Sequence, residues 1–315
     1  MKFTVVIPTF NRAQLLKKCI DSIVVQTHPA DEIIIIDDGS DDETEQIISS
    51  FQIRQIKYIR QQNTGQMIAR FNGINMASNK WIALCDSDDI WEPNHLEVLN
   101  NVIKSYSDLD LVYSNFYEFG SASTLENKLQ TAPAQWLEKS IAARENNTFF
   151  HQDLFKHLLY FTPIFQSCLA FNKESYFEFS AFSEEISKQN LGAEDFYSIL
   201  IFALKGKVAG TFKKTVGIRK HMANHSASAA FSMEGEITII QQILKENNRH
   251  PVVIDCLEEI NNAIIQRQRA LSYLYYEARD YKRFNAVLRA IPFEFKNMIK
   301  KCHLHLLSYF ISDKQ

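Results

Sequence analysis

Two hydrophobic rhythms alternate along the first part of the chain. Phe3 to Ile7 is a β-branched run closed by Pro8, which predicts a strand. Leu15, Leu16, Cys19, Ile20, Ile23 and Val24 then recur at helical spacing; Asn11 is placed to cap that helix and His28-Pro29 to end it. Glu32 to Ile36 has no polar alternation, so both of its faces should be buried, as in a parallel sheet. Asp41 or Asp42 opens a helix over Thr44 to Phe51, and Ile56 to Ile59 forms a third strand. Gln66 to Ala77 is amphipathic, and Trp81 to Cys85 is a fourth strand. Pro93 suits the start of a helix reaching about Ser105, and Leu109 to Tyr113 is a fifth strand. Strands alternating with helices in this way predict an α/β fold: a Rossmann-like, mostly parallel sheet flanked by helices.

The pattern loosens after that. Residues 120–150 are polar and read as a loop insertion, and residues 151–182 hold short Phe-rich pieces. Ala193 to Leu204 reads as a helix, and Lys207 to Ile218 as strand pieces broken by Gly210 and Gly217. From Glu236 onward the text is helical, through Leu244, Val252 to Leu274, Tyr281 to Ile291 and Phe295 to Phe310. The expected organisation is one α/β domain over residues 1–234 and a helical C-terminal extension over 235–315.

Composition narrows the function classes. The 315 residues are 46% hydrophobic and 23% charged, which excludes general disorder and fibrous repeats. A formal net charge of -3 offers nothing to a nucleic acid. The balance is uneven, however: residues 1–234 carry net -6 and residues 235–315 net +3. The five cysteines are scattered without a C-x-x-C pair, so they read as buried apolar residues in a reducing compartment, by default the cytoplasm. No apolar run approaches the roughly 18 residues of a membrane span, and the N-terminus does not read as a secretory signal.

In open parallel sheets, ligands bind at the carboxyl ends of the strands. The segments after the first four strands are Pro8-Thr9-Phe10-Asn11-Arg12, Asp37-Asp38-Gly39-Ser40, Asn63-Thr64-Gly65 with Arg70 on the next helix, and Asp86-Ser87-Asp88-Asp89. Small, polar and acidic residues therefore gather on one edge. Asp86, Asp88 and Asp89 repel one another unless something neutralises them. A divalent cation with the phosphates of a nucleotide would do so; capping of the following helix by Asp88 or Asp89 is the structural alternative. A carboxylate in Asp37-Asp38 suits the ring N–H of a base. The nine glycines form neither G-x-G-x-x-G nor a Walker A loop, which argues against NAD and ATP folds.

The segments VVIPTFNR, EIIIIDDGSDDET, NTGQMIARFNGI, WIALCDSDDIWEP and GAEDF, in this order, resemble the family 2 inverting glycosyltransferases of the GT-A fold. The resemblance is strong over about residues 3–120 and looser over 160–226. It implies nucleotide-sugar binding by residues 1–115 and an acceptor and catalytic part over 150–226. It also implies a donor that is a nucleotide-diphospho-sugar, with a UDP-sugar as the expected one, and Mn²⁺ or Mg²⁺ as cofactor. Thr9 and Asp38 resemble the nucleobase pocket, with Pro8, Phe10, Asn11 and Arg12 around it. Gly65 and Arg70 resemble residues beside the nucleotide. Asp86 and Asp88, with Ser87 between them, resemble the D-x-D pair, Asp86 toward the ribose and Asp88 toward metal and diphosphate. Asp195 resembles the catalytic base, with Glu194 as the other candidate or as its orienting neighbour. The Arg219 to Ser226 stretch resembles an R-x-H-x-x-N-x-S segment whose His221 is a further candidate metal ligand.

The implied acceptor is a hydroxyl of a glycan or of a lipid-linked glycan, as in bacterial surface polysaccharide synthesis. The processive Gln-x-x-Arg-Trp segment is absent, which favours transfer of single sugars. A sugar-phosphate nucleotidyltransferase and a non-catalytic nucleotide-sugar binder are the competing readings. Seven cations against two anions between Arg279 and Lys301 suggest a peripheral contact with the inner face of a membrane, with packing or homodimer formation as the alternative.

Overall fold

The computed structural model describes residues 1–189, 191–220 and 228–292. The strands are β1 (Phe3–Thr9), β2 (Glu32–Asp37), β3 (Ile56–Arg60), β4 (Trp81–Leu84), β5 (Ile90–Trp91), β6 (Leu111–Phe119), β7 (Ile141–Glu145), β8 (Thr148–His151), β9 (Leu169–Asn172) and β10 (Val208–Arg219). Helices α1 (Ala13–Val24), α2 (Thr44–Ser50), α3 (Gln66–Met76) and α4 (His95–Ser105) alternate with the early strands. The short helices α5 (Trp136–Ser140), α6 (Leu154–Leu158), α7 (Lys173–Glu178) and α8 (Glu184–Ser187) precede α9 (Phe196–Lys205). Four more follow β10: α10 (Ala229–Glu246), α11 (Pro251–Asp255), α12 (Leu257–Glu277) and α13 (Tyr281–Ala290). The expected helix over Phe295 to Phe310 lies outside the described residues.

The chain divides into two compact units. One comprises residues 1–190 and 194–227, the other residues 191–193 and 228–315. The first holds one sheet in the order β3-β2-β1-β4-β9-β6-β10-β8-β7, with β5 against β10. The α/β expectation holds; the sheet is parallel over β1 to β4 and again between β6 and β10, with antiparallel strands set between and beside them. β3, β2, β1 and β4 are parallel. β9 then inserts antiparallel between β4 and β6, and a β7–β8 hairpin closes the far edge in the segment expected to be a loop.

β1 and β2 are buried at every position, as their unbroken apolar runs require. Val5, Ile7, Ile33 and Ile35 pack in one core with Leu16 and Ile20 of α1 and Leu96 of α4. On the opposite face α3 lies close to the sheet at Gly73, where any Cβ would strike the Val6 side chain. Gly210 and Gly217 do not break β10. A Cβ at Gly210 would meet the Phe149 and Tyr113 rings, so the glycine makes room for aromatic packing within an unbroken strand.

The helix starts differ in detail from the expectation. Asn11 does not cap α1; its backbone is left-handed, at φ 50°, and its Oδ1 accepts from Asp41 N–H. The first amide of α1, Ala13 N–H, donates instead to Asp42 Oδ2 at 2.9 Å, from the loop after β2. Neither Asp88 nor Asp89 caps a helix, since β5 follows them and α4 begins only at His95.

The described part of the second unit is helical. α10 and α13 both pack on α12, and Arg267 Nε reaches Glu236 Oε2 at 2.7 Å. Among the described residues no helix is long and apolar enough to cross a membrane.

Candidate active site

The parallel strands β1 to β4 deliver their following loops to one edge. Thr9 ends β1 beside Asp37 of β2, and the Asp38 amide donates to Thr9 O at 2.9 Å. Asp38 then organises the loop after β3. Its Oδ1 accepts from Gln61 Nε2 (2.7 Å) and Thr64 N–H (2.9 Å), and its Oδ2 accepts from Gly65 N–H (2.8 Å). Gly65 stands at φ 95°, a backbone that favours glycine, and is the residue from which α3 departs. Phe10 is exposed on the loop between Thr9 and Arg12, while Pro8 is buried in β1.

The acidic turn after β4 is held by arginines. Arg70 of α3 is buried and pairs with Asp86 Oδ1 at 2.8 Å, and Gln66 Nε2 donates to the same oxygen at 3.0 Å. Arg12 pairs with Asp88 Oδ2 at 2.9 Å. Arg219, ending β10, donates from its Nε to Asp88 O and from its backbone N–H to Asp89 Oδ1, each at 2.9 Å. Asp89 itself is buried. Burial pushes its pKa well above the ordinary carboxylate range, and the Asp88 and Asp86 charges push the same way, against its hydrogen bonds to Ser167 and Arg219. Ser87, between the two aspartates of the D-x-D pair, is also buried.

Glu194 and Asp195 meet this edge from the start of α9. Burial opposes the Arg70 charge, but Asp86, Asp195 and Glu194 together outweigh it, so the guanidinium pKa rises. Burial raises the Glu194 pKa to about 7; Arg70 opposes this, Asp195 and Asp86 reinforce it, and a hydrogen bond from the Met67 amide opposes it. A small cavity is lined by Arg70, Gln166, Tyr176, Glu194, Asp195 and Ser198. Three buried polar atoms have no partner among the described residues: Thr9 Oγ1, Arg70 Nε and Gln166 Oε1. Unpaired buried groups are rare in folded proteins, and Arg70 and Gln166 both line this cavity, where a polar ligand would complete them.

The structure therefore brings Thr9, Asp38, Gly65, Arg12, Arg70, Asp86, Asp88, Glu194 and Asp195 to one region of the first unit. His221 lies outside the described residues. Among the described residues no group of three potential metal-ligating side chains converges. The donor set at Asp86 and Asp88 nonetheless suits a hard divalent cation that takes one or two carboxylates and completes its shell with phosphate oxygens. Arg219 belongs to the Arg219 to Ser226 stretch that the resemblance picks out, whereas Gln66, Gln166 and Ser167 are not candidates on the sequence. Gln66 lies within the NTGQMIARFNGI segment, whereas Gln166 and Ser167 carry no sequence signal of their own.

The sequence profile of glycosyl transferase family 2 matches residues 4–179. Among curated proteins, the glycosyltransferase GlyA of Streptococcus pneumoniae is 37% identical over 123 residues, covering 38% of this chain and 18% of its own length. An uncharacterized glycosyltransferase of Mycoplasma pneumoniae, the MG060 homolog, is 31% identical over 186 residues, covering 56% of this chain and 61% of its own. The chain thus spans less than two thirds of the length of these relatives. Among solved structures, residues 1–349 of S. aureus TarS, in complex with UDP-GlcNAc, superpose with a TM-score of 0.61 at 16% identity, over 91% of this chain and 90% of that one. That likeness is one of fold. With more than half of its residues matched by the family profile, the chain belongs to glycosyl transferase family 2.

Proposed function

We propose that this protein is an inverting glycosyltransferase that moves a sugar from a UDP-sugar to a hydroxyl of a glycan or lipid-linked acceptor. The observation that carries the reading is the acidic turn Asp86–Asp89, braced by Arg70 and Arg12 beside a second carboxylate pair, Glu194 and Asp195. UDP-GlcNAc bound to a protein of the same fold supports the choice of donor.

Each residue then has a task. Asp38 holds the loop around the base, and its Oδ2, which accepts from Gly65 N–H, faces the base N–H with remaining acceptor capacity. Thr9 Oγ1 supplies a further polar contact there. Asp86, fixed by Arg70 and Gln66, meets the ribose. Asp88 and Asp86 would hold Mn²⁺ or Mg²⁺, which as a Lewis acid stabilises the leaving diphosphate. Arg12 balances Asp88 and lies within reach of phosphate.

Asp195 serves as base. The acceptor oxygen bonds to the anomeric carbon as the bond from that carbon to the diphosphate breaks, and the acceptor proton passes to the Asp195 carboxylate. One displacement inverts the carbon. Burial, reinforced by the Asp195 and Asp86 charges, raises the Glu194 pKa to about 7, so near neutral pH this carboxyl is partly protonated, which supports giving the base role to its neighbour.

The test is incubation of the full chain with a panel of nucleotide-sugars, Mn²⁺ and glycan acceptors, reading nucleoside diphosphate release. UDP release that depends on a UDP-sugar and on acceptor is expected. Asp88→Ala should cut turnover at least about 100-fold, the scale of a lost transition-state charge contact. Asp195→Asn should keep UDP affinity and lose transfer to a similar extent. Donor binding without turnover in the wild type would favour a non-catalytic binder.

We further propose that the basic stretch between Arg279 and Lys301 lies against anionic lipid at the inner membrane face, bringing the site to a lipid-linked acceptor. Exposure of Lys282, Arg283 and Arg289 on α13 supports this.

A further inference from the structure

The acidic turn is not positioned by its own neighbours in sequence. β9 pairs antiparallel with β4, with Trp81 opposite Asn172 and Ala83 opposite Ala170. Continued past the last pair, that register carries the chain before β9 to the start of the turn after β4, with Ser167 opposite Asp86. Ser167 stands there, buried. Its Oγ accepts from the Asp86 amide at 2.9 Å and donates to Asp89 Oδ2 at 2.5 Å. Its carbonyl accepts from Trp91 Nε1 at 2.8 Å. One serine thus grips both ends of the Asp86–Asp89 turn and the tryptophan beyond it.

Asp89 extends the grip. Its other oxygen accepts from the Arg219 amide at 2.9 Å, while Arg219 Nε holds the Asp88 carbonyl at the same distance. Within the turn, Asp89 N–H donates to Asp86 O at 3.0 Å. Two segments far from it in sequence, the one before β9 and the end of β10, therefore converge on the turn, leaving the side chains of Asp86 and Asp88 to meet Arg70 and Arg12.

We propose that Ser167 is a positioning residue for donor binding: through its hydroxyl, shared between the Asp86 amide and the Asp89 carboxylate, it fixes the direction in which Asp86 and Asp88 face a nucleotide. It touches no reacting atom. This rests on the reading of Asp86 and Asp88 as donor-binding groups. Removing the hydroxyl orphans the Asp86 amide and leaves the buried Asp89 Oδ2 without its donor, so the turn must shift to find new partners. A shift of a fraction of an ångström at Asp86 is transmitted to the nucleotide.

Ser167→Ala removes the hydroxyl. Ser167→Cys keeps the volume but offers only a weak donor and acceptor, and it is read in place of the alanine variant if that variant fails to fold. Ser167→Thr restores the hydroxyl. UDP affinity is measured by calorimetry with Mn²⁺, beside the melting temperature. The expected result is that Ser167→Ala and Ser167→Cys bind UDP at least tenfold more weakly at a temperature where both are folded, and that Ser167→Thr recovers most of the loss. UDP affinity within twofold of wild type in Ser167→Ala, or in Ser167→Cys if only that folds, overturns the proposal, even if the melting temperature falls, because that pattern marks a purely structural serine. Wild-type protein that binds no UDP overturns the donor reading itself and this inference with it.

Discussion

Glu194 carries a testable consequence of its surroundings. Its carboxyl sits among Asp195 and Asp86, with Arg70 as the nearby cation, and burial raises its pKa from 4.5 to about 7. Between those two values the folded chain keeps a proton that the unfolded chain releases. Stability from this group is therefore complete below about pH 4.5 and is lost as pH rises through about 7. Glu194→Gln holds a neutral amide at every pH and escapes that loss. Urea unfolding of both proteins at several values from about pH 5 to about pH 8 should show the wild type losing up to roughly 3 kcal/mol relative to the variant. A difference that stays flat across the range would mean that Glu194 ionises as it would in water. Glu32 behaves oppositely. Burial acts to raise it, but hydrogen bonds from Lys57, Ser78 and Thr4 hold it at about 2, so its contribution is present above the usual carboxylate range and fades in acid.

At the scale of elements, α3 does the most for the site, because it presents Gln66, Met67 and Arg70 together. It can do so only by lying close on β1 and β2, and Gly73 permits that approach. Gly73→Ala would gain about 1 kcal/mol of helix propensity. It would also drive a methyl group into Val6, so the helix must lift. The expected net result is destabilisation by about 1–3 kcal/mol together with weaker UDP binding, read by urea unfolding and calorimetry. Unchanged stability and affinity would mean that the sheet yields at Val6 without moving α3.

The parallel half of the sheet was legible in the sequence because β1, β2 and β4 are uniform apolar runs closed by polar loops, and each loop inherits its position from its strand. β9 was not. Leu169 to Asn172 is four residues long and sits in a Phe-rich stretch whose rings pack on both α9 and the sheet, as Phe171 does on Phe202. Ser167 stayed hidden for the same reason: its neighbours are Asp86 and Asp89, about eighty positions away, and only the antiparallel register joins them. Glu194 and Asp195 were readable as a pair. Their coupling to Arg70 depends on how α3 and α9 are packed, which periodicity does not encode.

Across the whole chain the charge is divided, and the division carries the last prediction. The acidic excess of residues 1–234 includes Asp86, Asp88, Asp89, Glu194 and Asp195, so part of it belongs to the site. The basic excess gathers late, between Arg279 and Lys301, where Lys296, Lys300 and Lys301 lie outside the described residues. α13 is the described part of that stretch. None of its residues is buried; Lys282, Arg283 and Arg289 are exposed, and Phe284, Val287 and Leu288 are half-buried. Basic residues held near an anionic surface contribute about 1 kcal/mol each and lose it as salt shortens the screening length. The full chain should therefore sediment with vesicles containing anionic phospholipid at low salt, dissociate as salt rises, and ignore vesicles of neutral lipid. Arg283→Glu combined with Arg289→Glu should weaken sedimentation at least tenfold while leaving UDP affinity intact, since neither residue belongs to the first unit. Equal binding to neutral and anionic vesicles, or none to either, would return the basic stretch to a role in packing or self-association.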